Sequence, residues 1–134
     1  MSSEYNPTEM KLFTVEEANA LLPVVRQILQ RLRSSRKSLS AYQRQARTAA
    51  EQADQGGGGI DAGLLYAQLL TKFAAQMTEL ETLGVQLKDF DRGLVDFPSL
   101  RDGRVVLLCW QLGEGDELEW WHDIEAGFAG RTPL

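Results

Sequence analysis

Gly93-Leu94-Val95-Asp96-Phe97-Pro98-Ser99-Leu100-Arg101-Asp102-Gly103-Arg104-Val105-Val106-Leu107-Leu108-Cys109-Trp110 is the stretch that decides the fold. Two β-prone runs flank Asp102-Gly103, a dipeptide suited to a tight hairpin turn. Val105–Trp110 is apolar but only strand-sized. Upstream, Val85 and Leu87 form a shorter β-prone run that ends at Arg92-Gly93. Downstream, Gly113-Glu114-Gly115 separates the best strand from a next one expected at Leu118–Trp121. His122–Leu134, with Gly127, Gly130 and Pro133, reads as a loop-like tail. Residues 85–134 are therefore expected to form a small antiparallel β-meander of three or four short strands.

The preceding residues have a different period. Thr14-x-x-Glu17 is a capping box, with Phe13 in front as a hydrophobic staple. Leu21, Val25, Ile28, Leu32 and Leu39 then recur at helical spacing and make a heptad-like seam. Pro23 cannot donate to the carbonyl of Asn19, so a kink is expected there. Gly56–Gly59 breaks the pattern and permits a reversal. A second helical pattern follows from Ile60 through Tyr66, Leu69, Phe73, Met77, Leu80 and Leu83, with Gly84 as its stop. The expected fold is α+β: one domain over residues 1–134. A long antiparallel helical hairpin spans 12–84, turning at 56–59, and the C-terminal antiparallel β-meander follows.

Composition excludes several function classes. The chain has 134 residues, is 43% hydrophobic and 25% charged, and carries one cysteine and one histidine. That is globular composition, long enough for a core, with no internal disulfide and no multi-cysteine zinc site. The start, Met1–Lys11, is polar with Glu4 and Glu9 and does not read as a signal peptide. No run of about 18 apolar residues suggests a membrane span. A cytoplasmic location and no membrane partner are the expectations. The tetraglycine lacks a following Lys-Ser/Thr pair, so it is no phosphate loop. Gly-x-Ser-x-Gly is absent, so no nucleophile elbow supports a serine triad. No catalytic residue is nominated, and whether the protein is an enzyme stays open.

Charge is unevenly distributed. Ala18–Ala50 holds seven bases and no acid, whereas Val85 onward holds ten acids against five bases. At about 100° per residue, Arg26, Arg33, Lys37 and Arg44 fall within about 40° of one another. The stripe could track phosphates, but it has no interleaved aromatics and the net charge is −5. A solvated helix face is the commoner use, and nucleic acid is not the expected partner.

The C-terminal third concentrates the chemically able side chains: Trp110, Trp120, Trp121, Cys109, His122 and many carboxylates. His122 and Glu125 lie three apart and would face one point on a helical turn; imidazole plus carboxylate suits zinc, iron or manganese. Asp91 and Asp96, with Asp89, could add oxygens if the first strand neighbours the tail, and Glu17 could join from the first helix. The candidate metal ligands are thus His122, Glu125, Asp96, Asp91 and Glu17. Against this stands a structural role, in which His122 hydrogen-bonds a carboxylate and holds the tail. Glu17 already serves the capping box. Cys109, mid-strand in an apolar run, reads as a buried, inert thiol. Arg131 could hold a carboxylate, either that of Leu134 or a partner's.

Several motifs together resemble the prokaryotic domain-of-unknown-function family 2203. They are Leu12–Pro23, Gly84-Val85 with Lys88-Asp89, Gly93–Pro98, Leu108-Cys109-Trp110, Trp121-His122 and Gly127–Arg131. The resemblance covers nearly the whole chain, while about Ser34–Glu79 matches only in being long and helical. It implies no activity and no residue role. The motifs lie at the two ends of the chain, which suits a fold in which Thr14–Pro23 packs on the β region.

Three functions remain. The first is a homodimeric interaction or scaffold module. Two helices alone bury one another incompletely, and a second copy would complete a four-helix bundle. The second is a metal- or small-ligand-binding protein with a site around His122. The third is a nucleic-acid-associated protein using the Arg26/Arg33/Lys37/Arg44 stripe.

Overall fold

The computed structural model of the chain describes residues 10–51 and 60–134. The expected tetraglycine turn at 56–59 lies outside the described residues. Helix α1 spans Val15–Glu51 and α2 spans Ile60–Thr82. Five strands follow: β1 Gln86–Asp89, β2 Leu94–Arg101, β3 Arg104–Gln111, β4 Trp120–Asp123 and β5 Thr132–Pro133. The fold is α+β. Among the described residues, no helix is long and apolar enough to cross a membrane.

The sheet is an antiparallel meander with strand order β1-β2-β3-β4-β5. The Asp-Gly turn forms as expected. Asp102 and Gly103 both have positive φ, 52° and 80°, which a two-residue type I′ hairpin demands. Arg101 therefore pairs with Arg104, and counting down the ladder brings Asp96 opposite Cys109. Two expectations need correction. The fourth strand is Trp120–Asp123, not Leu118–Trp121, because the Leu118 N–H donates to Asn19 Oδ1 at 2.6 Å instead of joining the ladder. The tail is not simply loop-like: His122 belongs to β4. After a 3-10 turn at Phe128–Gly130 the chain returns as β5, so there are five strands.

The chain divides into two compact units, one made of the chain up to Leu29 with Leu80–Leu134, the other Gln30–Glu79. In the first unit the capping box forms reciprocally. The Thr14 N–H donates to Glu17 Oε1 at 2.9 Å, and the Glu17 N–H donates to Thr14 Oγ1 at 3.0 Å. Phe13 then packs edge-on against Phe97, with ring centroids 5.4 Å apart. Its N–H donates to the Pro98 carbonyl, and its carbonyl accepts from Ser99 Oγ. The buried side chains on α1 here are Ala18, Leu22, Val25, Ile28 and Leu29; Leu22 is fully buried, whereas Leu21 is half-buried. They meet the sheet face that carries Val95, Phe97, Val106, Leu108 and Trp110, all buried. Each valine, leucine, isoleucine or phenylalanine so removed from water contributes about 1.5–3 kcal/mol. The helix continues through Pro23, which lies exposed.

In the second unit the helices run antiparallel. Arg31 pairs with Glu79, Ser35 Oγ donates to Gln76 Oε1 at 2.8 Å, and Tyr42 stacks on Tyr66. Partner numbers fall on α2 as they rise on α1, as a hairpin requires. Among the described residues of this unit, the buried ones are Leu32, Ser35, Leu39 and Gln76.

Candidate metal centre

The sheet face opposite Phe97 carries the chemistry. Side chains alternate along a strand, and cross-strand partners share a face. Asp96 on β2, Cys109 opposite it on β3, and Leu107 with its partner His122 on β4 therefore project to the same side. His122 reaches diagonally to Asp96. Its Nε2 lies 3.1 Å from Asp96 Oδ1, and the two side chains are only 3% and 2% exposed. Its Nδ1 lies 2.8 Å from the Asp123 carbonyl oxygen. A carbonyl can only accept, so Nδ1 carries a proton and Nε2 is the nitrogen turned toward Asp96. Two facing lone pairs would repel, so one proton lies between Nε2 and Oδ1.

Cys109 completes the group. One ligand atom from each of Asp96, Cys109 and His122 lies within 4.8 Å of the other two, and all three residues are buried. Burial pushes the Asp96 carboxyl above the ordinary carboxylate range, although His122, Lys88 and the Cys109 thiol pull the other way. Burial, reinforced by the Asp96 charge, pushes the Cys109 thiol up to about 12, against the pull of Arg131. Gln86, the β1 partner of Asp96, has a buried Oε1 without a hydrogen-bond partner.

A small cavity of about 110 Å³ adjoins the group, walled by Asp96, His122, Leu94, Leu107, Ile124 and Phe128. Lys88 also lines it. This lysine sits where the β1–β2 register shifts by a bulge between Leu87 and Asp89, a device that re-aims side chains. Beside the cavity, Arg131 holds Glu114 through two contacts of 2.7 and 2.8 Å and stacks on Trp120 and Phe128. The carboxylate that Arg131 holds is thus Glu114, and not that of Leu134 or a partner's as expected from the sequence.

Of the ligands expected from sequence, Asp96 and His122 come together, and Asp91, Glu125 and Glu17 do not join them. Asp91 is exposed in the β1–β2 turn. Asp89 Oδ1 accepts from the Arg92 N–H within that same turn. Glu125 is exposed in the turn after β4, where the Ala126 N–H donates to the Asp123 carbonyl. The helical turn that would have aligned it with His122 is absent, because His122 is on an extended strand. Glu17 is occupied by its cap. Cys109, read from sequence as buried and inert, is indeed buried, yet it stands in the cluster. The basic stripe is divided in use: Arg26 pairs with Asp116 at 3.1 Å and lies over Trp110, whereas Arg33, Lys37 and Arg44 are exposed.

Residues 11–134 match a family model described as an uncharacterized conserved protein (DUF2203). No curated protein and no solved structure matches the chain.

Proposed function

The chain belongs to the DUF2203 family, and for this member we propose the binding of one divalent metal ion, zinc above all, by Asp96, Cys109 and His122. The observation that carries the reading is the convergence of carboxylate, thiol and imidazole within 4.8 Å among buried residues of one sheet face. Metal–ligand bonds of about 2.0–2.3 Å set tetrahedral ligand atoms roughly 3.3–3.8 Å apart, so little movement is required. The Nδ1–H to carbonyl bond is the usual way a metal-binding histidine is held, since it leaves Nε2 free to ligate. A carboxylate and a thiolate would together neutralise a divalent cation. Mixed nitrogen, sulfur and oxygen donors favour zinc over manganese, which prefers oxygen alone. Burying three ionisable groups beside one another is otherwise costly, and an apolar trio would pack the same face more stably.

The test is elemental analysis of protein purified without chelator, with circular dichroism as the check on folding. Near-stoichiometric zinc is expected in the wild type and its loss in folded Cys109→Ala and His122→Ala. A metal-free wild type that also fails to take up added zinc ends the reading.

A second reading, a homodimeric interaction module, draws on α2. Leu64, Leu65 and Leu70 are exposed in a unit whose described residues bury few side chains, and a second copy would cover them.

A further inference from the structure

We infer that the cleft between the two helices of the second unit is an oxyanion seat, with a phosphate group as its ligand. The cavity there measures about 120 Å³ and is lined by Arg31, Ser34, Ser35 and Ser38 of α1 and by Lys72 and Gln76 of α2. The α1 positions fall at i, i+3, i+4 and i+7, and the two on α2 at i and i+4, so each set occupies one helix face. Facing helices ordinarily meet through apolar side chains. Here the floor is a buried polar pair: Ser35 and Gln76 are each 7% exposed, and Ser35 Oγ donates to Gln76 Oε1 at 2.8 Å. Exposed Arg31, Ser34, Ser38 and Lys72 form the rim. The seat is independent of the metal reading.

Charge selects an anion. No Asp or Glu occurs between Ala18 and Ala50, nor between Ala62 and Thr78, so along these stretches the two helices bring cations and hydroxyls to the cleft and no carboxylate. Glu79 reaches Arg31 at 3.4 Å, but both side chains are about half exposed, so this contact holds the guanidinium weakly. Donor chemistry selects phosphate. Guanidinium, ammonium and two serine hydroxyls on one cavity wall supply the charge-assisted donors that a tetrahedral oxyanion needs. The Ser35 hydroxyl proton is spent on Gln76, so its oxygen offers the cavity lone pairs. Phosphate keeps a proton at neutral pH and can donate it there, whereas sulfate has none to give. At roughly 30 Å³ per water, about 120 Å³ takes about four waters or one such anion. The remainder of any phosphate ester therefore stays outside the cleft.

The test follows the amide signals of the isotope-labelled full chain by NMR while sodium phosphate is added at constant ionic strength, which holds general screening fixed. The expected result is saturable shifts confined to the neighbourhoods of Arg31–Ser38 and Lys72–Gln76, with sulfate binding several-fold less tightly. No saturable shift with phosphate overturns the seat, and sulfate binding as tightly as phosphate overturns the choice of ligand. Glycerol phosphate separates two sources of the group. Binding equal to that of phosphate assigns the seat to a phosphate monoester, and failure to bind assigns it to free phosphate; both results uphold it. Lys72→Gln, at an exposed position, should weaken phosphate about two- to five-fold. Ser34→Ala with Ser38→Ala, both exposed on a helix that alanine favours, should weaken it about tenfold. Undiminished binding in both variants places the anion elsewhere and ends the inference. Arg44→Gln changes a base of the same helix outside the cavity and should leave binding as it is. Equal weakening by Arg44→Gln and Lys72→Gln would mean that the general field of α1 attracts the anion, against a built seat. A duplex oligonucleotide that shifts signals from Arg33 to Arg47 while phosphate shifts none replaces the small anion with nucleic acid.

Discussion

His122 turns Nε2 to within 3.1 Å of Oδ1 of Asp96, and neither side chain reaches solvent to any useful extent. Each is the other's compensation for lost hydration. Removing one partner strands the other, a loss of about 3–5 kcal/mol, whereas removing both leaves no orphan. In chelator, His122→Ala and Asp96→Ala should each destabilise strongly, and the double variant should fall short of their sum by about 1.5 kcal/mol or more. Urea unfolding of the four proteins measures this. Strict additivity would mean that the two side chains act independently.

Metal uptake should release protons in a number fixed by the geometry. One proton lies between Nε2 and Oδ1, and a second is held by the Cys109 thiol, whose titration lies far above neutrality. The ion displaces both, so two protons per zinc are expected near pH 7. Calorimetric titration in buffers of different ionisation enthalpy counts them. A count of one proton per zinc would remove Cys109 from the ligand set.

Much of this site could be read before any coordinates. The capping box at Thr14 and Glu17 and the Asp102-Gly103 turn are local signals, and both formed as spaced. Register follows from that turn: a two-residue loop pairs Arg101 with Arg104, and five further steps set Cys109 against Asp96. That count was available in the sequence and would have drawn Cys109 into the candidate set. The placement of His122 was not available. It depends on where β4 begins, and Leu118 is withheld from the ladder by Asn19, a residue 99 positions away. Glu125 was misplaced for the same reason, since a spacing of three is informative only on a helix. The pairing of Arg131 with Glu114 depends on the return of the tail as β5, which Thr132-Pro133 does not announce.

Cys109 should behave as an inert thiol in the metal-free folded protein. Raising its titration from 9.0 to about 12 lowers the thiolate fraction at neutral pH roughly a thousand-fold, and burial blocks approach as well. A chromogenic disulfide reagent should label less than a tenth of the native chains in the time that labels the urea-unfolded chain fully. Labelling at equal rates would show that the strand opens freely or that the thiol faces solvent.

The Glu114–Arg131 pair makes the fold sensitive to acid. Burial disfavours the Glu114 carboxylate, but the Arg131 guanidinium and the Gln111 N–H outweigh it, so the carboxyl lies below its ordinary 4.5. A group depressed on folding contributes stability above its unfolded value and loses it as pH falls through the folded one. Glu114→Gln should therefore cost about 1–2 kcal/mol at neutral pH, the partial exposure of the pair keeping the figure low. Its stability should fall less steeply than wild type below about pH 4.5. Chemical denaturation across that range distinguishes the two, and parallel curves would show that Glu114 carries no acid sensitivity.

The dimer reading requires a different variant from the one the helical seam suggests. Leu32 lies on that seam, but it is 1% exposed, so Leu32→Asp would unfold the helix pair whether or not a second copy binds. Leu64 and Leu65 are 56% and 47% exposed, and charges there need not disturb the α1–α2 contacts at Ser35–Gln76 or Tyr42–Tyr66. Leu64→Glu with Leu65→Glu should keep the helical circular dichroism of the wild type. If two copies associate through α2, the wild type sediments as a dimer and the variant as a monomer, since charged side chains would have to be buried unpaired at the contact. A variant that sediments as a dimer moves the interface away from these leucines, and a monomeric wild type at high concentration removes the dimer altogether.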